Sequence, residues 1–217
     1  LHISTDEVYG EAGSTPCTES APLMPKSPYA ASKAGADRLV WSYFTTYGLP
    51  VVISRCTNNY GPYQHPEKLI PLFVTNALED RPLPMYGDGA SSRDWIHVDD
   101  HCAALDRLLA APGVDGEVFN IGAGQEQDVR TVGRAILRTL HKPATLLQSV
   151  PARPGNVARH AVDWSKSRDR LGWNPVRTFE SGLHETVEWY RQNEAWWKPV
   201  KSGGFRDYYN VQYRGLA

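Results

Sequence analysis

No stretch of this chain is apolar for long enough to span a bilayer; no run approaches the ~20 residues that a crossing helix needs. No signal peptide is visible either, so no membrane partner is expected. Cysteine is scarce. Cys17, Cys56 and Cys102 lie far apart, which argues against a disulfide framework and a zinc site and fits a reducing cytoplasm. An excess of one charge is missing too: 23 Lys and Arg stand against 24 Asp and Glu, and the basic residues are scattered. Nucleic acid is therefore not an expected partner. There are no internal repeats and no low-complexity segments. An initiator methionine is absent. The chain begins Leu1-His2-Ile3-Ser4 inside an apparent strand, which leads to the expectation that it is the later part of a larger protein.

What is present is an ordinary globular composition. The 217 residues are 41% hydrophobic and 22% charged, enough for one large domain or one and a half small ones. Leu1–Ser4 reads as the end of a buried strand and 5–10 as the turn after it. Gly13, Pro16, Pro22 and Pro25 make 11–26 a loop. Ser27-Pro28 has the form of an N-cap followed by a first-turn proline, where the missing N–H costs nothing. The helix so begun is expected to run to Tyr47 and stop at Gly48, with Ala34, Leu39, Val40, Tyr43 and Phe44 as its apolar stripe. Val51-Val52-Ile53 suits a parallel strand covered on both faces, with a polar loop from Cys56 to Pro66.

Further on, helices are expected over 69–78, from Asp99 or Asp100 to Ala111, and over 129–140, 165–171 and 179–192. Strands are expected over 83–85, 95–98, 118–121 and 145–147. The tail from Lys198 carries no assignment. This alternation argues for an α/β fold with a parallel sheet.

The chemistry-bearing residues cluster early. Tyr29 and Lys33, four apart, share one helix face, and a nearby ammonium favours a phenolate, so the pair offers a usable base. A Tyr-x-x-x-Lys pair is weak evidence by itself, because many helices carry one as packing plus a solvated charge. Asp6 and Glu7 add two carboxyl groups at the strand end. Like charges so close push their pKa values apart, which lets one serve as acid and the other as base.

Together, Tyr29-Ala-Ala-Ser-Lys33 and the Ser4-Thr5 ahead of it resemble the short-chain dehydrogenase/reductase superfamily in its extended, sugar-nucleotide-modifying form. Ser4-Thr5-Asp6-Glu7-Val8-Tyr9-Gly10 is similar to the signature of the nucleoside-diphosphate-sugar 4,6-dehydratases within it. That resemblance implies the latter part of a Rossmann-type parallel sheet domain, residues 1–62. It also implies a smaller, mostly α substrate-binding domain over 63–217, with segments near 94–121 returning to the sheet.

By resemblance, Tyr29 is the base at the sugar's 4-hydroxyl, and Lys33 lowers its pKa and holds the ribose of NAD. Thr5 binds the substrate hydroxyl, Glu7 takes the C5 proton and Asp6 protonates the departing 6-hydroxyl. The substrate would be dTDP-glucose, with UDP-glucose next; the rival readings are a sugar-nucleotide epimerase or decarboxylase on the same scaffold and a truncated, non-catalytic sugar-nucleotide-binding protein. Asn58-Asn59-Tyr60-Gly61-Pro62-Tyr63 and Pro66-Glu67-Lys68-Leu69-Ile70-Pro71 also match the family. They imply Asn58 on the sugar nucleotide, Asn59 on the cofactor, and Lys68 and the Leu69 backbone on the diphosphate or nucleoside. Pro84 and Tyr86 resemble the segment that packs on the base. Arg93 matches the arginine that grips the diphosphate, for which a planar guanidinium is well suited. The same resemblance implies a homodimer that uses the Tyr29 helix.

Three places depart from the pattern. Asp128 stands where the family places an asparagine near the nucleotide. Ala152-Arg153-Pro154-Gly155-Asn156 resembles Asp-Arg-Pro-Gly-His with its ends changed, leaving Arg153 as a second diphosphate ligand and Asn156 as an uncharged donor. The glycine-rich turn that takes the NAD pyrophosphate is missing, since no Gly-x-x-Gly-x-x-Gly occurs. Gly122-Ala-Gly124 comes too late in the chain and lacks the third glycine. The 217-residue polypeptide by itself is therefore expected to bind NAD poorly. A titration giving a dissociation constant in the range usual for an intact enzyme would overturn that expectation.

Overall fold

The structure, a computed structural model, describes residues 1–152, 155–203, 207, 209 and 211–213. In chain order the elements are β1 (His2–Thr5), a 3-10 turn (Asp6–Tyr9), α1 (Pro28–Tyr47), β2 (Ile53–Cys56), β3 (Asn58–Tyr60), α2 (Leu69–Leu78), β4 (Leu83–Tyr86), β5 (Ser92–His97) and α3 (Val98–Ala110). There follow β6 (Val118–Ile121), β7 (Glu126–Asp128), α4 (Val129–Thr139), a second 3-10 turn (Ala144–Leu146), β8 (Leu147–Val150), β9 (Arg159–His160), α5 (Ser165–Leu171), α6 (Phe179–Gln192) and α7 (Glu194–Val200). The fold is α/β. Among the described residues no helix is long and apolar enough to cross a membrane.

The chain divides into two compact units. The first is Leu1–Asn59, Ser91–Glu126 and Gly155–Thr178; the second is Tyr60–Ala90, Gln127–Pro154 and Phe179–Ala217. Two segments thus return to the first unit, Ser91–Glu126 and Gly155–Thr178, where the sequence suggested segments near 94–121.

The first unit is built on a parallel sheet in the order β1-β2-β6. Thr5 pairs with Cys56, and Cys56 with Ile121, so the carboxyl ends of all three strands are level. Val52, Leu108, Val114 and Phe119 form one apolar cluster, and Cys56, Ile96, Ala104, Ile121 and Trp173 another. β9 pairs in parallel with β5. In the second unit β4 pairs in parallel with β8, and α2 is buried from Ile70 to Ala77. α4 and α6 supply the rest of that core through Val132, Ile136, Leu183 and Val187.

Helix α1 begins and ends as its sequence requires. The Ser27 hydroxyl accepts from Ala30 N at 3.1 Å, Pro28 occupies the first turn, and Gly48 is left-handed with φ 68. Its face differs from expectation. Of its 20 residues, all described, only Ala30, Ala34 and Asp37 are buried, while Leu39, Trp41, Tyr43 and Tyr47 are exposed. What anchors the helix is polar. Arg55 of β2, 2% exposed, donates from Nε to Asp37 Oδ2 at 2.7 Å and from Nη1 to the Tyr9 hydroxyl at 2.8 Å. Tyr9 in turn donates to Asn120 Oδ1 of β6 at 2.7 Å.

Other differences have local causes. β2 starts two residues later than expected and ends three later, with apolar Val51 and Val52 buried just ahead of the paired strand. The cap of α3 is His97 rather than an aspartate: its Nδ1 accepts from Asp99 N at 3.3 Å. Residues 145 and 146 lie in a 3-10 turn, and the strand follows from Leu147. α7 was not anticipated, since Pro199 sits inside it.

The Arg55–Asp37 pair generates a prediction. Asp37→Ala leaves the guanidinium buried without its counter-ion, and urea unfolding should show a loss of about 3 kcal/mol or more. A loss within ~0.5 kcal/mol, the range of an ordinary surface change, would refute the anchoring role.

Candidate active site

The site in the first unit grows from the end of β1. Thr5 closes the strand and caps the turn: its Oγ1 accepts from Glu7 N at 3.3 Å and donates to Asp6 Oδ1 at 3.3 Å. The turn then needs a glycine. Gly10 has φ 79, and a Cβ there would collide with the Met24 carbonyl. Asp6 and Glu7 are thereby presented at the carboxyl edge of the sheet, where ligands bind in open α/β folds.

Their environments differ. Asp6 is 4% exposed, and its Oδ2 finds no hydrogen-bond partner among the described residues. Burial, helped by the charges of Glu7 and Asp94, pushes its carboxyl up to about 7. Glu7 is half-buried. At neutral pH the pair can thus hold one proton on Asp6.

Tyr29 lies in the first turn of α1 and is 55% exposed. Its phenol is raised above the usual value, first by burial and then by Glu7, Cys56 and Asp6, which brings it electrostatically into the same cluster. The expected lowering by Lys33 is not seen. Lys33 Nζ instead donates to the Ile3 carbonyl at 2.8 Å, and burial together with the acidic groups raises the phenol. Cys56 is buried, its thiol pushed up to about 12, so it is no nucleophile.

Asn59 donates from Nδ2 to the Thr57 carbonyl at 3.1 Å and to Cys56 Sγ at 3.3 Å, and Asn58 is half-buried beside it. Arg93 donates to the Ser92 carbonyl at 2.7 Å and to Asn156 Oδ1 at 3.5 Å, while Asn156 Nδ2 donates to Ser91 Oγ at 3.0 Å. The structure therefore joins Arg93 to Asn156. Arg153 lies outside the described residues.

The second unit carries the remaining candidates. Lys68, 63% exposed at its side chain, precedes Leu69 at the start of α2 and pairs loosely with Glu67 at 3.8 Å. Pro84 and Tyr86 share β4, and the Tyr86 hydroxyl accepts from Gln212 Nε2 at 2.7 Å. Asp128 serves the fold by capping α4, accepting from Thr131 N and Thr131 Oγ1, both at 2.8 Å. Burial pushes its carboxyl up, but the bonds from Thr131 and Arg130 outweigh this and hold it below the usual value. A ligand role beside the nucleotide is not needed to explain this aspartate.

Sequence reasoning missed three buried residues of this region. Asp94 is 1% exposed and bound by backbone amides of the Gly122–Gln125 turn. His160, 5% exposed, has its imidazole pushed down to about 3, first by burial and then by Arg93. Arg55 anchors α1 from below. The signal for Asp94 was Gly122-Ala-Gly124, read as a poor dinucleotide fingerprint when it is the turn that encloses this carboxylate.

A level parallel sheet with a Thr-Asp-Glu turn and a Tyr-x-x-x-Lys helix at its carboxyl edge defines the Rossmann-type short-chain dehydrogenase/reductase class. Within that class, the model of the family described as GDP-mannose 4,6 dehydratase matches residues 1–186, and this chain belongs to that family. Its similarity is high to a dTDP-glucose 4,6-dehydratase of Neisseria meningitidis, 50% identical across 94% of this chain and 61% of that protein. The crystal structure of dTDP-glucose 4,6-dehydratase from Bacillus anthracis in complex with NAD matches with TM-score 0.88 and 51% identity, covering 92% of this chain and 63% of that one. A dTDP-glucose 4,6-dehydratase from Streptomyces venezuelae with NAD and TYD bound matches with TM-score 0.90 and 51% identity, covering 92% and 62%. The chain thus spans about three fifths of the length of these relatives.

The raised Asp6 carboxyl predicts a pH dependence of stability. The folded state holds this proton up to about pH 7, while the unfolded chain releases it near 3.8. Below the lower value the group makes no difference. Between the two, the unfolded state binds fewer protons, so stability falls as pH rises, by up to ~4 kcal/mol. Asp6→Asn should abolish that fall, and thermal unfolding at pH 5 and pH 8 checks it: a variant with an undiminished pH slope would remove Asp6 as its source.

Proposed function

We propose that this chain carries the catalytic residues and much of the sugar-nucleotide site of an NAD-dependent dTDP-glucose 4,6-dehydratase, a hydro-lyase yielding the 4-keto-6-deoxy sugar nucleotide. The observation that carries the reading is the asymmetric pair at the end of β1. Asp6 is buried and inclined to keep its proton, whereas Glu7 beside it is accessible to solvent. Water elimination across C5 and C6 needs such a division, one group to take a proton and one to give it. A plain epimerase has no use for both.

The chain's residues then act as follows. The Tyr29 phenolate accepts the 4-hydroxyl proton; forming it requires a cation to offset the burial and the carboxylates that raise the phenol's pKa, and Lys33, one helical turn on, is assigned that part. Glu7 removes the C5 proton, which a 4-keto group makes acidic. Asp6 donates its proton to the departing 6-hydroxyl. Thr5 orients the turn and the substrate hydroxyl. NAD, when bound, exchanges the hydride at C4 and C6, so the net reaction is redox-neutral. The Lys33 ammonium and the exposed Tyr29 phenol fit the ribose end of a dinucleotide, being hydroxyl-recognising groups at the carboxyl end of a parallel strand.

Asn59 is assigned to the cofactor. Asn58, Lys68, Leu69, Pro84, Tyr86, Arg93, Asp128, Arg153 and Asn156 are assigned to the sugar nucleotide. The Arg93–Asn156 contact supports the first unit's share of that assignment. A cytoplasmic setting suits the free cysteines Cys17, Cys56 and Cys102. A homodimer through α1 suits the exposed Leu39, Tyr43 and Tyr47.

The test is to incubate the intact protein with dTDP-glucose and, separately, UDP-glucose and to assay the 4-keto product. Product with dTDP-glucose is expected; product only with UDP-glucose reassigns the nucleotide, and none with either ends the proposal. Glu7→Gln should leave oxidation at C4 measurable while water loss falls about 10²-fold or more. Tyr29→Phe should slow oxidation itself by about 10²–10⁴-fold, without loss of stability because the side chain is largely exposed.

A further inference from the structure

We propose that Asp94 is a positioning residue for the acid of the reaction above: its enclosed carboxylate carries the negative charge of the sheet edge, so that Asp6 keeps the proton. The inference rests on that reading of Asp6. Its physical basis is separate.

The placement follows from the register. Thr5, Cys56 and Ile121 are level across β1, β2 and β6, and Thr57 N continues the ladder to the Ile121 carbonyl at 3.0 Å. One residue further on, Asp6, Thr57 and Gly122 stand at the carboxyl edge of successive strands, each strand about 4.8 Å from the next. A Cβ on Gly122 would lie 2.5 Å from Asp94 Oδ2 and 3.1 Å from Thr57 Cγ2. The absent side chain at Gly122 is therefore the space that admits the Asp94 carboxylate to the same edge as Asp6.

The two carboxyl groups are unequally provided for. Asp94 Oδ1 accepts from Gln125 N at 2.8 Å and Oδ2 from Ala123 N at 3.1 Å. Asp6 receives the Thr5 hydroxyl at 3.3 Å, and its Oδ2 has no partner among the described residues. Burial raises both groups; the amides of Ala123, Gly124 and Gln125 oppose it at Asp94, which stays above the usual carboxylate value, while Glu7 and Asp94 drive Asp6 further up. Arg93 is the cation that opposes this at Asp6, and Glu126 is the further anion facing Asp94. Cys17, Tyr29 and Cys56 feel the Asp6 charge in turn. Two buried carboxyls in one field do not both ionise cheaply, and the proton goes to the one with fewer donors.

The test is an NMR titration of isotope-labelled aspartate carboxyl carbons in the intact protein, with Asp6 and Asp94 assigned through Asp6→Asn and Asp94→Asn. Asp6 should titrate near neutrality and Asp94 below it. Asp94→Asn should lower the Asp6 midpoint by about one pH unit or more, and Asp6→Asn should lower that of Asp94 reciprocally. A wild-type order with Asp94 above Asp6, or midpoints unmoved by the partner's substitution, overturns the proposal. If Asp94→Asn fails to fold, the wild-type order and the Asp6→Asn arm still decide it. No substrate is involved, so this result stands or falls separately from the dehydration assay.

Discussion

The ion pair between Arg55 and Asp37 is the constraint on which the first unit depends. It joins the middle strand β2 to α1 at a point where the helix offers almost no apolar surface inward. Through the Tyr9 hydroxyl the same guanidinium holds the turn that follows β1, and through Tyr9 it reaches Asn120 on β6. The carboxylates are on that turn and the tyrosine and lysine are on that helix. Their mutual placement is thus set by one buried cation and its bonds. A buried charge pair gives little net stability over an apolar contact of equal volume, but it fixes geometry, because any other register leaves a charge unpaired.

That geometry gives the candidate site its electrostatic character. Three carboxyl groups, Asp6, Glu7 and Asp94, share the carboxyl edge of a sheet that ends beside the apolar cluster of Cys56, Ile96 and Ile121. Burial and mutual repulsion divide them. Asp94 is quieted by amide donors, Glu7 keeps access to water, and Asp6 is left to hold a proton. Burial and then the same negative field hold the tyrosine's phenol neutral and make a neighbouring cation necessary for it to act as a base. Acid strength and base strength in this cluster are therefore not independent properties of single residues.

The helical elements were legible wherever the code is local. The cap and first-turn proline of α1, its closing glycine, the bounds of α5 and α6 and the buried α2 all follow from residues within a few positions of one another. The Thr5-Asp6-Glu7 and Tyr29-Lys33 motifs were legible for the same reason, each being a short run with a recognisable spacing. α7 was hidden by its internal proline, and the cap of α3 by a histidine acting in place of the aspartates beside it.

What the sequence by itself determined is the class of fold, the chemical groups available and the motif that joins this chain to its family. What only the tertiary structure decided is how those groups are charged and held. No spacing rule relates Arg55 to Asp37, or Asp94 to Gly122, because each pair meets only once separate elements pack against one another. The stripe expected along α1 is covered only in part, with Ala34 buried, Val40 and Phe44 half-buried and Leu39 and Tyr43 exposed, because amphipathic periodicity says which residues share a face and packing chooses how much of that face is covered. A pKa depends on burial and on charges brought in from elsewhere, so Asp6 and Asp128, both aspartates at the start of a helical turn, end with opposite shifts.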